Sequence, residues 1–438
     1  MQMAASFVKV ATFALLVFFA VGHDDEVGCV TDYNNTKDYF PHKATIEYAE
    51  YFNITYNNSY KIIDVNAGSY YGTQKIIAYQ CGTPIPEWEN DTDIFVEIPV
   101  KYVAVSSTPM IPYIEILGER KSIKAVATNT SLVASACLNE MLDDGYTLDA
   151  TSGAWGINDT ILEKAGVNVT FDPSMGSYNA VAFVEYLEST SQGVSEWLDF
   201  VAAFYNLEEE AEEIIDEVID RIECLTDNAA LYSETFPGVT PKVMYSVWYP
   251  GYGYFSTGSC PNYYCDLIEA AGGTPLTNGT YVQYDEWLAL AKRADYIWHV
   301  GDFGYLYDEY SSDSDFTSLS AVVNQRVYDT SGNGKKDWFE SRFAEPDVVL
   351  EDLINFLQNC TNPDHDRVWL RNYFTEDKGA ASTTCSDWGA ALEIQADDCS
   401  DLSADDLEDQ CFDDSGSTDD EAGAPRGAAG GHAAGALL

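Results

Sequence analysis

Ile114-Glu-Ile-Leu-Gly118 and Ile268-Glu-Ala-Ala-Gly272 share the pattern Ile-Glu-x-x-Gly, so each half of the chain offers one carboxylate, Glu115 and Glu269, from an equivalent helix ending in glycine. Other reactive constellations are sparse. No Gly-x-Ser-x-Gly elbow, His-Glu-x-x-His or phosphate loop occurs, which speaks against the corresponding hydrolase, metalloprotease and nucleotide-binding readings. Paired carboxylates of the glycosidase kind stay open among 72 acidic residues, although no spacing marks a pair. The histidines, His23, His42, His299, His365 and His432, include no short-spaced pair, so an imidazole-rich metal site is not expected. Thirty tyrosines leave an Fe(III) site of tyrosinates and carboxylates open. Cys260 and Cys265 could ligate a metal as thiolates, but a disulfide is the stronger expectation in an oxidising compartment.

Oxidising conditions are what the rest of the sequence points to. Ten cysteines are spread from Cys29 to Cys411, enough for five disulfides of unassigned pairing. Asn-x-Ser/Thr sequons stand at Asn34, Asn53, Asn57, Asn90, Asn129, Asn158, Asn168, Asn278 and Asn359. Lys9, the apolar run Val10 to Val21 and small residues at Ala20 and Gly22 have the layout of a secretory signal, residues 1–22. The expected destination is secretion or the outer face of the plasma membrane. The formal charge of −50 disfavours nucleic acid and anionic lipid as partners and attracts cations or cationic complexes. Fourteen of the acidic residues, with no Lys or Arg, lie between Asp387 and Glu421; residues 387–438 are therefore expected to form an acidic and Gly/Ala-rich flexible tail.

The chain's 46% hydrophobic content argues for packed cores over most of 438 residues. Tyr48 to Tyr56 and Tyr60 to Val65 alternate around the turn Asn57-Asn58-Ser59 and predict a hairpin. Tyr102 to Val105, Val169 to Phe171, Lys242 to Trp248 and Asp295 to Val300 predict buried strands separated by helices, the sign of α/β lobes on largely parallel sheets. Three- and four-residue apolar spacing from about Val194 to Thr226 predicts a long helix, with Tyr205-Asn206 able to break it. Residues 23–190 are thus an N-terminal lobe with extra hairpin strands, 191–230 a connecting spine helix and 231–386 a C-terminal lobe.

Tyr102 to Gly118, Ala165 to Phe171, Ser195 to Tyr205, Pro241 to Tyr245, Asp266 to Thr274, Glu286 to Tyr296 and Trp338 to Ile354 together resemble class III periplasmic-type substrate-binding proteins. That family serves iron–siderophore, haem and cobalamin uptake. The last stretch resembles in particular a branch found in cyanobacteria and algae, and the signal sequence, sequons and cysteines suggest a eukaryotic, secreted version. The resemblance implies two Rossmann-like lobes with parallel-type sheets, joined by a long spine helix, with a ligand cleft between them. It also implies that Glu115 and Glu269 dock onto arginines of a membrane permease. The sequons, cysteines and acidic tail depart from a bacterial lipoprotein, so a reductase or an endocytic receptor stands beside a permease as the expected partner.

In such a fold, ligand contacts come from loops that follow the sheet strands. The foremost candidate is Trp248-Tyr-Pro-Gly-Tyr-Gly-Tyr-Phe255, which offers Trp248, Tyr249, Tyr252 and Tyr254. Trp155 is its expected counterpart on the first lobe, Ser107 and Thr108 supply hydroxyls, and His299 ends a further strand. Aromatic faces with a few polar tips suit a bulky, partly apolar Fe(III) chelate. The expected function is capture of a siderophore for uptake, without chemistry and without a covalently bound cofactor. Haem or cobalamin binding by the same fold, or a hydrolytic or adhesive glycoprotein, are the alternatives.

Overall fold

The computed structural model describes residues 29–87, 93–153, 156–238, 240–358, 360–363 and 365–412. The expected signal sequence, the sequons at Asn90 and Asn359, and residues 413–438 lie outside the described residues.

The predicted hairpin forms from Phe52–Tyr56 and Tyr60–Asn66, closed by an Asn57 N–H to Tyr60 carbonyl bond of 2.9 Å. Thr73–Gln80 continues it in antiparallel fashion, and Ile94–Ile98 joins in parallel. Two further sheets carry the α/β architecture. In the first, Ala180–Val181, Val169–Phe171, Val103–Val105, Ile123–Val126 and Leu148–Asp149 lie side by side, all parallel. In the second, Lys242–Tyr249, Tyr296–Val300 and Val327–Asp329 are parallel, with Tyr254–Ser256 and Arg371–Asn372 antiparallel at the edges. Every residue of Val103–Val105 and Val169–Phe171 is buried, as parallel strands covered on both faces require, which is why they read as apolar runs and not as alternations.

The long helical signal resolves into Ser191–Ser195, Trp197–Ala202 and a 28-residue helix, Glu208–Thr235, about 42 Å long. The break falls at Asn206, which adopts φ +60°. Buried Lys61 fastens it by donating to the Ala203 carbonyl and the Asn206 side chain and by pairing with Glu208. Glu208–Thr235 packs against the earlier short helices, against Pro346–Leu357 and Tyr263–Ala270 of the second half, and against Ala404–Phe412. Direct contacts also join the halves: the Tyr113 hydroxyl lies 3.0 Å from the Val194 carbonyl and 2.9 Å from that of Phe343, and Glu340 accepts the backbone N–H groups of Ala134 and Ser135. No helix among the described residues is long and apolar enough to cross a membrane.

Five disulfides join Cys29–Cys81, Cys137–Cys385, Cys224–Cys399, Cys260–Cys265 and Cys360–Cys411. The close-spaced pair Cys260–Cys265 is a disulfide and not a thiolate metal site. Three of the five correct the expectation of a flexible tail from residue 387. Residues 385–412 are fastened to the body, Leu392 donates to the Glu115 carbonyl, Leu402 donates to Asn228, and Leu407 is fully buried. Acidic composition concealed this because the partners that fasten the segment, Cys137, Cys224 and Cys360, lie far away in sequence.

Candidate ligand-binding surface

Lys242–Tyr249 runs through the middle of the second sheet and ends in the turn Pro250 to Gly253, where Tyr252 and Gly253 both donate to the Tyr249 carbonyl. Alternation along the strand separates the two candidates at its end. Trp248 turns inward, with ring centroids 6.3 Å from Phe255 and 6.2 Å from Tyr310, and joins the second half's own apolar core. The ring is half-buried, with one side packed against this core. Tyr249 and Tyr252 point outward, 38% and 80% exposed. Tyr254 sits between them at 4.9 and 6.0 Å and also lies 4.9 Å from Tyr281, a 69% exposed ring that sequence reasoning missed. Tyr281 arrives because Val282 bridges to Phe255 across a non-local pairing. Burial, then the phenols of Tyr254 and Tyr264, raise the Tyr249 pKa, so this residue presents a neutral hydroxyl on a flat apolar ring.

Beneath it lies a second group that the sequence did not single out. Tyr245 stacks on Tyr264 at 3.9 Å, and the Arg342 Nε–H donates to the Tyr264 hydroxyl at 3.2 Å. Arg342 also donates to the Trp338 and Phe339 carbonyls and lies 4.0 Å from the Phe343 ring centre. Among the described residues it has no carboxylate within ion-pairing distance. Glu185 of the first half is 2% exposed, has one oxygen without a hydrogen-bond partner among the described residues, and has its pKa pushed up to about 8 by burial, an effect the Arg342 charge opposes. A half-buried guanidinium among phenols is a natural hydrogen-bond donor to an acidic oxygen. Its only sequence signal was membership of the Trp338 to Ile354 stretch.

On the first half, Ser106 donates to Asp172 at 3.1 Å, tying the loop after Val103–Val105 to that after Val169–Phe171. Ser107 is half-buried in this loop, and Thr108 is buried at the start of the next helix, its carbonyl accepting the Ile111 N–H. Trp155 lies outside the described residues. His299 is corrected from a ligand contact to a sequestered group. It is 3% exposed, its Nδ1 has no hydrogen-bond partner among the described residues, its ring meets Phe303 edge-on, and burial pushes its pKa down to about 4. The strand Tyr296–Val300 is covered on both faces, which leaves the histidine no route outward.

Glu115, expected on the surface, is 2% exposed. Its side chain accepts from Arg120 at 2.6 Å and Ser135 at 2.6 Å, and residues 387–392 cover it. Glu269 is exposed. Two-point docking through both glutamates is therefore not open to this chain in the form described.

No family model matches the chain. An uncharacterized lipoprotein of Methanocaldococcus jannaschii is 25% identical over 317 residues, 65% of this chain and 72% of the relative. Similar solved structures include haem-complexed IsdE of Staphylococcus aureus, with 14% identity, TM-score 0.45, 59% of this chain and 98% of that one. The TroA-like periplasmic binding protein FepB of Veillonella parvula has 13% identity, TM-score 0.47, 63% and 95%. The periplasmic vitamin B12 binding protein BtuF of Vibrio cholerae has 10% identity, TM-score 0.41, 60% and 98%.

Proposed function

We propose that the chain is a secreted or surface-exposed receptor that captures a bulky iron chelate, a siderophore, and performs no chemistry on it. One observation carries the reading: Tyr249, Tyr252, Tyr254 and Tyr281 form an exposed aromatic surface at the carboxyl end of a central parallel-sheet strand, the end at which α/β sheets take up ligands. Exposed large aromatics cost solubility unless a ligand uses them. Net charge narrows the choice, because a chain of −50 repels anionic chelates and favours neutral or cationic ones, which puts a ferric hydroxamate ahead of haemin or a ferric catecholate. The spine helix and the direct contacts between halves support a largely preformed site, which lowers the ordering cost of binding. Five disulfides suit an oxidising, extracytoplasmic setting. Delivery to a membrane permease, a reductase or an endocytic receptor would follow capture, with exposed Glu269 as one contact.

The test is a fluorescence titration of the disulfide-bonded chain with ferric hydroxamate, ferric catecholate, haemin, cobalamin and ferric citrate. Saturable quenching at one equivalent by the hydroxamate supports the reading. Saturation by haemin or cobalamin instead keeps a receptor and changes its ligand, and flat responses to all five by folded protein refute capture.

A further inference from the structure

His365, Glu351 and Asp397 converge where the helix Pro346–Leu357, the loop after it and the cross-linked C-terminal segment meet. His365 is oriented from behind. Its Nε2 lies 2.9 Å from Asp352 Oδ1, and Asp352 is itself held by the backbone N–H groups of Val368, Trp369 and Leu370. That arrangement fixes the ring so that Nδ1 faces Asp397 Oδ2 at 2.9 Å and Glu351 Oε2 at 3.8 Å. Glu351 is 1% exposed, and among the described residues its Oε1 has no hydrogen-bond partner while Oε2 accepts only the long Asp397 N–H bond of 3.3 Å. A buried carboxylate oxygen left without a donor is costly, and a cation beside it removes that cost.

We propose that this cluster is a divalent transition-metal site, suited first to zinc, that clamps the C-terminal segment to the second half of the chain. Ligand atoms bound to zinc at about 2.0–2.2 Å stand roughly 3.3–3.6 Å apart in a tetrahedron; the two separations from His365 Nδ1, 2.9 and 3.8 Å, bracket that spacing, and all three ligand atoms lie within 4.8 Å of one another. His365 Nδ1, Glu351 and Asp397 supply one nitrogen and two oxygens, leaving a fourth position for water. Asp352 is the outer carboxylate that holds the imidazole by its other nitrogen, the usual support for a metal-bound histidine. The imidazole favours zinc over calcium and magnesium, which take oxygen ligands. Asp397 lies two positions before Cys399, so the ion and the Cys224–Cys399 disulfide would anchor the same stretch. This inference is independent of the proposed receptor function.

Zinc chloride is added to the full disulfide-bonded chain in a large excess of calcium, the chain is gel-filtered, and retained zinc and melting temperature are measured for wild type, Asp397→Asn and Glu351→Gln. One retained zinc per chain is expected, with a melting temperature raised by zinc and affinity lowered about tenfold or more in each variant. The Asp397 side chain is 57% exposed, so Asp397→Asn folds and decides the matter alone should Glu351→Gln not fold. A wild type that retains no zinc overturns the site, as does equal retention by the variants, which is the behaviour of carboxylates scattered over an acidic surface.

Discussion

Glu115 and Glu269 occupy the same place in the same helix-ending turn, yet one is sealed inside and the other faces water. The Gly118 N–H meets the Glu115 carbonyl at 3.0 Å and the Gly272 N–H meets that of Glu269 at 3.0 Å, with the glycines at φ +75° and +74°. Left-handed backbone explains why both motifs end in glycine. The side chains diverge because Arg120 and residues 387–392 close over Glu115, while none of the described residues covers Glu269.

Unequal stability effects follow from that difference. Glu115→Gln strands Arg120 in a buried setting and is expected to cost roughly 3 kcal/mol. Glu269→Gln is expected to stay within about 0.5 kcal/mol. Denaturant midpoints of the two variants with disulfides intact measure both, and equal shifts would show that Glu115 is accessible.

Trp248→Ala reports on packing and not on recognition. Its half-buried ring fills space between Phe255 and Tyr310, and its loss is expected to cost about 2 kcal/mol, below the value for full burial. Thermal melting should register the loss while chelate affinity holds.

Removing the Cys224–Cys399 bridge by paired serine substitution is expected to cost roughly 2–5 kcal/mol and to open residues 385–412 to protease. Limited proteolysis followed by mass analysis locates the first cut. Cleavage elsewhere, with this segment intact, would mean that its packing does not depend on the cross-link.

Buried carboxylates set the response to pH. Burial pushes Glu185, Asp199 and Glu345 up to about 8, and for Asp199 the neighbouring Glu212 and Glu196 charges add to it. The folded chain therefore holds protons that the unfolded chain has already released. This stabilisation is complete below the ordinary carboxylate range and is lost as pH rises through about 8. Between pH of about 6.5 and 8 each group loses up to roughly 2 kcal/mol. His299, pushed down to about 4 from its ordinary 6.5, opposes the trend chiefly below that window, where the unfolded imidazole is protonated and the folded one is not. Melting temperature should fall with rising pH, and Glu185→Gln should flatten part of the fall.

Local periodicity made much of the fold legible. Val103–Val105, Val169–Phe171, Lys242–Tyr249 and Tyr296–Val300 lie where apolar runs predict strands, and the spine breaks where Tyr205-Asn206 predicts. Features that depend on distant partners were not legible. Tyr281 enters the tyrosine surface because its neighbour Val282 pairs with Phe255, the segment after Cys385 is cross-linked to Cys137, Cys224 and Cys360, and Trp248 and Tyr249 are told apart only by which strand face meets the core. Of the residues expected at the ligand site, Trp248 is a half-buried ring packed against the core, Tyr252 an exposed ring and His299 a sequestered imidazole.

The most direct test of the receptor reading compares wild type with the combined Tyr249→Ala, Tyr252→Ala and Tyr281→Ala variant in a titration with ferric hydroxamate. The surface described here predicts saturation at one equivalent in wild type, affinity weakened about tenfold or more in the variant, and nearly unchanged melting temperature because all three rings are exposed. Equal affinity in the two folded proteins would contradict capture by this tyrosine surface.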